Sequence, residues 1–277
     1  MAVTRYLGAD LAWREDRPGH LANESGLAVI DPAGQVLDAG WTRTMAATIA
    51  WINQAAAGPG ALLFVDAPLV VTNTGGQRLC ETQVGQRYGR WKVSANTTNI
   101  NSPRLAGVTL RGRLESFGWN YSDGGDGPPA DGRSMSECYP YTTLVGAPEL
   151  GYDTERPRYK RRPPRLPVAR WRPERAAACD ELIRRLGQLA TATPPLLLGS
   201  HPVSRKLIEE PSPLDDTAYK HREDLIDALL CAWTAALWAR HGLARCQVLG
   251  PAGAPGSAPP ATIIAPARDE QRPPPRG

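Results

Sequence analysis

The sequence predicts an α/β fold, a mixed sheet of three antiparallel strands followed by parallel strands, with helices on both faces. Three observations carry this. Two apolar runs, Val3 to Trp13 and Gly26 to Asp31, precede a turn signal and a returning run. A six-residue, almost wholly apolar stretch, Ala61 to Asp66, follows a helical segment, as a strand buried on both faces would. The longest periodic segment, Tyr219 to His241, reads as a helix. Leading antiparallel strands followed by strand–helix alternation give a mixed sheet covered by helices.

Each element has a local reason. Val3 to Trp13 is β-branched and aromatic at its start and acidic near its end. Asp31-Pro32-Ala33-Gly34 is a turn, and Gln35 to Trp41 returns from it as the third strand. Thr44 caps a helix over Met45 to Ala57, which Gly58-Pro59-Gly60 stops. Pro68 prevents the strand ending at Asp66 from continuing. Gln77 to Tyr88 is expected to be helical, Ser136 to Tyr139 a short strand, and Arg175 to Ala190 an amphipathic helix bounded by Pro173 and Pro194-Pro195. In the last helix Ile226, Leu229, Leu230, Trp233 and Leu237 recur at helical spacing, and Gly242 ends it. The expected organisation is one domain over 1–249, with insertions near 90–133 and 155–175. Tyr121 to Arg133 is expected to be a flexible loop, and a Pro-, Ala- and Gly-rich tail over 250–277 to be mostly disordered apart from Thr262-Ile263-Ile264.

Composition excludes several classes. The chain has 277 residues, 42% hydrophobic and 22% charged, ordinary for a globular protein. Its five cysteines form no CxxC pair, which argues against a zinc site or a disulfide framework and for a reducing compartment. No long apolar region precedes Asp10, and no uncharged run approaches the roughly 20 residues that span a bilayer. A cytoplasmic protein is expected. The net charge is only +4, yet the segment 156–175 holds nine basic residues against one acidic one, so the remainder is net acidic. A basic segment on an acidic body suits a polyanion, although a solvated, proline-broken loop would look the same.

The acidic residues carry the chemistry. Asp10 and Asp66 close apolar strands, Glu137 opens Glu137-Cys138-Tyr139-Pro140, and Asp224 and Asp227 stand on the last helix. At about 100° per residue the last two share one flank of its apolar stripe. Ligand sites of α/β sheets gather at the carboxyl ends of strands, where Asp10 and Asp66 belong. Carboxylates suit Mg²⁺ or Mn²⁺, as one ion or a pair, and such ions activate water and stabilise the leaving oxygen of a phosphodiester. Each acid alone could equally cap a turn or pair with a base; the set is harder to explain that way. Asp10, Asp66 and Asp227 are the expected metal ligands, with Glu137 and Asp224 completing the catalytic group. Arg78, Arg87, Arg90, Lys92, Arg158, Lys160, Arg161 and Arg162 are the expected nucleic-acid contacts, with Trp91 available to stack on a base. His20, His201, His221 and His241 have no HExxH or paired-ligand spacing; there is no GxSxG elbow and no phosphate-binding glycine loop.

Gly8-Ala9-Asp10, Val65-Asp66-Ala67-Pro68, Arg78 with Cys80-Glu81, Glu137-Cys138-Tyr139-Pro140 and Asp224-Leu225-Ile226-Asp227-Ala228-Leu229 together resemble domain-of-unknown-function family 429, a family of predicted nucleases. The resemblance runs from about Val3 to His241. It implies a ribonuclease H-like core, with Asp10 and Asp66 as central strand-end carboxylates and Asp224 and Asp227 supplied by the last helix. Glu137 matches the family's Glu-x-x-Pro motif, and the chain departs from the family at Tyr139, where relatives often carry histidine. The expected function is a metal-dependent nuclease acting on DNA or RNA. The alternative is a non-catalytic nucleic-acid-binding module that retains the carboxylate site. A third reading, an ATP-handling enzyme of related core, lacks support, since no glycine-rich phosphate loop follows Asp10 in this chain.

Overall fold

A computed structural model describes residues 3–13, 23–58, 60–163, 165–253 and 258–271. His20 and parts of the expected tail, residues 254–257 and 272–277, lie outside the described residues. Six strands form the main sheet: β1 (Arg5–Asp10), β2 (Ser25–Ile30), β3 (Val36–Thr42), β4 (Gly60–Val65), β5 (Asn120–Tyr121) and β6 (Gly132–Glu137). Their order is β3-β2-β1-β4-β6-β5; the pairs among β1, β2 and β3 are antiparallel and the rest are parallel. The expected α/β mixed sheet is therefore present. The turn after β2 is held by Asp31, whose Oδ1 accepts from the amides of Ala33 and Gln35, both at 2.9 Å, and Gly34 takes the positive φ it needs.

Strand alternation divides the core into two layers. Leu7, Ala9, Leu27, Val29, Leu63 and Val65 face α1 (Met45–Ala55) and α3 (Ala106–Glu115), against Ile49, Ile52, Leu110 and Leu114. Thr44 caps α1 as expected, its hydroxyl accepting from Ala47 N at 3.1 Å. Tyr6, Ala28, Ile30, Leu62 and Phe64 face the other way, onto α7 (Asp216–His241). That layer also holds α2 (Leu79–Tyr88), α4 (Pro140–Gly146), α5 (Val168–Gln188) and α6 (Pro202–Glu209). Asp10 and Asp66 share the parity of Tyr6 and Leu62, so both point toward α7.

Two glycines let α7 lie directly on the sheet. A Cβ on Gly8 would sit 1.9 Å from the Ala228 carbonyl oxygen and 2.4 Å from Ala232 N; one on Gly26 would sit 2.3 Å from the Asp224 carbonyl oxygen. The helix backbone thus touches β1 and β2, and its carboxylates are brought to the end of β1. Every residue of α7 from Arg222 to Trp238 is buried, where the sequence suggested a single apolar stripe.

Three expectations are corrected. Residues 90–133 are not wholly an insertion, because α3 within them fills the second core layer. Its three buried anchors, Ala106, Leu110 and Leu114, are diluted by arginines and glycines and gave little periodic signal. Helix α5 begins at Val168 and runs through Pro173, with Trp171 buried in its first turn. The described part of the tail is folded: β8 (Ile263–Pro266) pairs antiparallel with β7 (Cys246–Leu249), all four β8 residues are buried, and Tyr88 Oη donates to Pro266 O at 2.5 Å. Ile263 and Ile264 bury enough apolar surface to hold the strand despite the proline-rich chain around it. Gly124, in the loop expected to be flexible, packs against Val248 and Ile264 of this hairpin. No helix among the described residues is long and apolar enough to cross a membrane.

Candidate metal centre

The parallel strands β1, β4 and β6 end side by side. Asp66 N donates to Ala9 O at 2.8 Å and Cys138 N to Val65 O at 3.0 Å, so Asp10, Asp66 and Glu137 emerge at one edge of the sheet. From α7 above, Asp227 completes a group with Asp10 and Asp66 in which one oxygen from each lies within 4.8 Å of the others. Asp227 is fully buried, Asp66 is 8% exposed, and Asp10 is partly open. Asp224, one turn earlier, adds its negative charge to that felt by Asp10.

Counter-charges come from two lysines. Lys160 Nζ forms an ion pair with Asp227 Oδ2 and also acts electrostatically on Asp10 and Asp66. Lys220 Nζ bridges Asp224 Oδ1 at 2.5 Å and Glu223 Oε1 at 2.7 Å on its own helix. Tyr159 Oη donates to Asp227 Oδ1 at 2.6 Å. Asp227 Oδ2 has no aligned hydrogen-bond donor; the Lys160 contact is one of charge. Five acids, Asp10, Asp66, Glu223, Asp224 and Asp227, thus face two ammonium groups, an excess of three negative charges if all ionise.

The acids respond as this imbalance dictates. Burial, then repulsion from Asp227 and Asp224, pushes Asp10 well above the usual carboxylate range. Burial lifts Asp66 to about 7, with Lys160 opposing and Asp227 and Glu137 adding to the rise. Asp224 and Glu223 are raised for the same leading reason. Lys160 is held well above its ordinary value because Asp227, Asp10 and Asp66 outweigh its own burial.

Glu137 is not part of this open group. Arg78 clamps both its oxygens, Nη2 to Oε1 at 2.6 Å and Nη1 to Oε2 at 2.8 Å, while Leu69 N adds a third bond at 3.1 Å. The same guanidinium donates from Nε to Glu81 Oε1 at 2.9 Å and from Nη1 to Val70 O at 3.1 Å. Arg78 is 4% exposed and its donors are committed, so it is not available to a nucleic-acid phosphate, and Glu137 acts as its partner beside the site. Trp91, expected to stack on a base, is fully buried and donates to Asp153 O at 2.9 Å. Lys160 points inward to the acids.

The remaining expected contacts stay outside. Arg87 and Arg162 are exposed, and Arg90 pairs with Glu270 over the face of Trp91. Lys92 and Arg158 both reach Glu155 at 2.8 Å, and Arg161 donates to Asn96 Oδ1 at 2.8 Å. Exposed pairs of this kind are weak and exchange readily for a phosphate. Asn96 also lines a cleft with Asp66, Trp13 and Tyr139, so the basic rim borders the carboxylate centre. His221 pairs instead with Glu24 and stacks on Trp41. The buried Cys138 Sγ lies 3.2 Å from Cys231 Sγ, and burial raises both thiols, which leaves no activated nucleophile there.

The sequence, which offers Lys220 as one possible base for Asp227 when its ion pairs are with Asp224 and Glu223, gives no sign of Glu223 or Tyr159 and puts Lys160 on the outer, phosphate-binding side. Lys220 had a signal, standing four residues before Asp224 on one helix. Lys160 had a fainter one, as the lone lysine among the arginines of 156–175. Protein-family models, curated proteins and solved structures give no match to this chain.

Proposed function

We propose that the protein is a divalent-metal-dependent nuclease with a ribonuclease H-like core, using Mg²⁺ or Mn²⁺ to hydrolyse phosphodiester bonds in nucleic acid. The observation that carries this is the convergence of Asp10, Asp66 and Asp227 from three remote chain segments, with their oxygens within 4.8 Å of one another. The residues fit such an ion. Their donors are all hard oxygens, buried Asp227 Oδ2 has only the Lys160 ammonium against it and no aligned hydrogen bond, and the surplus negative charge matches a divalent cation. The sequence resemblance to a family of predicted nucleases supports the same reading.

When bound, the ion would lower the pKa of a water and stabilise charge on the phosphate. Asp10, Asp66 and Asp227 would hold it. Tyr159 fixes the carboxylate plane of Asp227. Lys92, Arg158, Arg161 and Arg162 would bind backbone phosphates at the rim, an attraction that weakens with salt. A second reading, a non-cleaving nucleic-acid-binding module, is favoured by Lys160, whose ammonium already offsets part of the acidic charge.

The test is a panel of single-stranded, double-stranded and branched DNA and RNA with Mg²⁺, Mn²⁺ or EDTA. The expected result is cleavage that EDTA abolishes and that Asp10→Asn reduces more than about 100-fold, beyond the usual effect of an outer-shell partner. Unchanged cleavage by Asp10→Asn refutes the assignment, and salt-sensitive binding without turnover in any condition selects the second reading.

A further inference from the structure

Lys160 contradicts its surroundings in an informative way. It belongs to the basic segment flanked by Arg158, Arg161 and Arg162, all exposed, yet its ammonium turns inward onto Asp227 and is felt by Asp10 and Asp66. Those are the three residues whose oxygens converge. An ammonium and a divalent ion cannot both neutralise the same oxygens without repelling each other at short range.

The main chain beside Lys160 is fixed while the side chain has an exit. Tyr159 is buried, donates to Asp227 Oδ1, and its carbonyl accepts from Tyr219 Oη at 2.7 Å. The Lys160 side chain keeps 16% exposure, and its ammonium, in the inward position, lies over the faces of Tyr141 and Tyr159, 5.2 and 5.5 Å from their ring centres. These contacts hold the ammonium inward only weakly. A flexible four-carbon stem can therefore swing outward without moving the backbone. Lys220 differs, because its ion pairs are with two carboxylates of its own helix, Glu223 and Asp224, although its charge also reaches Asp10 and Asp66.

We propose that Lys160 is a built-in competitor for the divalent cation, and that a nucleic-acid phosphate bound at the basic rim draws its ammonium outward, so that metal binding and nucleic-acid binding strengthen each other. The inference rests on the metal-dependent reading above and adds its regulation: the ion binds well only with the polyanion present. Coupling of this kind is reciprocal, so each ligand must raise the affinity for the other by the same factor.

The test uses the full chain, Mn²⁺ followed by electron paramagnetic resonance, and a single-stranded phosphorothioate oligonucleotide. For the unmodified protein the oligonucleotide should tighten Mn²⁺ binding about tenfold, within the usual range of such couplings. Lys160→Gln should bind Mn²⁺ about tenfold tighter without oligonucleotide and gain nothing further from it. Because that variant leaves buried acids unpaired and could fold poorly, a second measurement uses the unmodified protein alone. Reductive methylation of Lys160, read by mass spectrometry, should rise severalfold when Mn²⁺ is saturating. Equal Mn²⁺ affinity in Lys160→Gln and the unmodified protein, or Lys160 labelling indifferent to bound Mn²⁺, overturns the competitor role and leaves the metal reading standing. Failure of Mn²⁺ to bind either protein, with or without oligonucleotide, overturns both.

Discussion

The carboxylate centre should weigh against the stability of the fold, and Asp66→Asn measures by how much. Asp66 is held at about 7 against an ordinary value of 3.8, with burial as the main cause. A folded-state value above the unfolded one means that the fold binds this proton more tightly than the unfolded chain does. Between about pH 4 and 7 the folded state carries the extra proton, so stability falls as pH rises through that window. The penalty is absent below it and fully present above it. A rise from 3.8 to about 7 corresponds to on the order of 4 kcal/mol. Asp10 draws on the same surplus charge, so part of the strain relaxes by redistribution of protons, and a gain of about 2–4 kcal/mol is expected for Asn at pH 8. Set against a typical total of about 5–15 kcal/mol, this is large. Urea denaturation in EDTA at pH 8 and pH 4.5 checks it: the variant should be the more stable at pH 8 and nearly equal at pH 4.5. Saturating Mn²⁺ at pH 8 should reverse the order, because only the unmodified site keeps its full ligand set. An Asp66→Asn protein less stable than the original at pH 8 in EDTA would show that Lys160 and Lys220 already balance the acids, and the case for a missing cation would fall.

Two further perturbations probe the frame that holds the site. Arg78→Met removes the cation between Glu81 and Glu137 and should cost about 3–5 kcal/mol at pH 8, with a smaller loss at pH 5, where the stranded acids can protonate; denaturation curves at both pH values test this. Gly8→Ala places a methyl 1.9 Å from the Ala228 carbonyl oxygen, so α7 must lift from β1. At least the 1–3 kcal/mol typical of an overpacked core should be lost, together with Mn²⁺ affinity, and a variant of unchanged melting temperature would contradict the backbone contact described here.

The parts of the fold legible in the sequence are those where one local rule acts alone. The sheet strands announce themselves by apolar runs ending at turn residues, and Thr44, Gly34 and Gly242 mark their caps and turns by chemistry that needs no tertiary partner. Helix α3 and strand β8 were hidden because their burial depends on what lies opposite. Leu110 and Leu114 matter only because α1 and the sheet offer a second layer, and Ile263 and Ile264 only because β7 stands ready to pair. Pro173 marks a helix start by a rule for isolated helices, and the helix nonetheless continues one turn before it, to Val168. The close approach of α7 to Gly8 and Gly26 was likewise invisible, since a glycine in a strand does not name the backbone it admits.

At the site the same division separates what could be read from what could not. Strand-end positions and helical spacing brought Asp10, Asp66 and Asp227 together correctly, whereas the pairing of charge was not readable, because a basic residue in a polar run looks alike whether it faces water or an acid. Arg78 and Lys160 were both expected on a phosphate-binding surface, and both are turned inward. What they meet differs. Around Arg78, two carboxylates find a planar guanidinium and backbone amides, and the charge and the hydrogen bonds are satisfied within the protein. Around Lys160, one flexible ammonium faces converging acids, one buried oxygen lacks an aligned donor, and Asp10 and Asp66 are driven toward protonation. The two clusters meet at one cleft, which Glu137 of the first and Asp66 of the second both line. A closed cluster serves the fold. An open one is costly unless a ligand completes it, and the chemistry of its oxygens selects a hard divalent cation as that ligand.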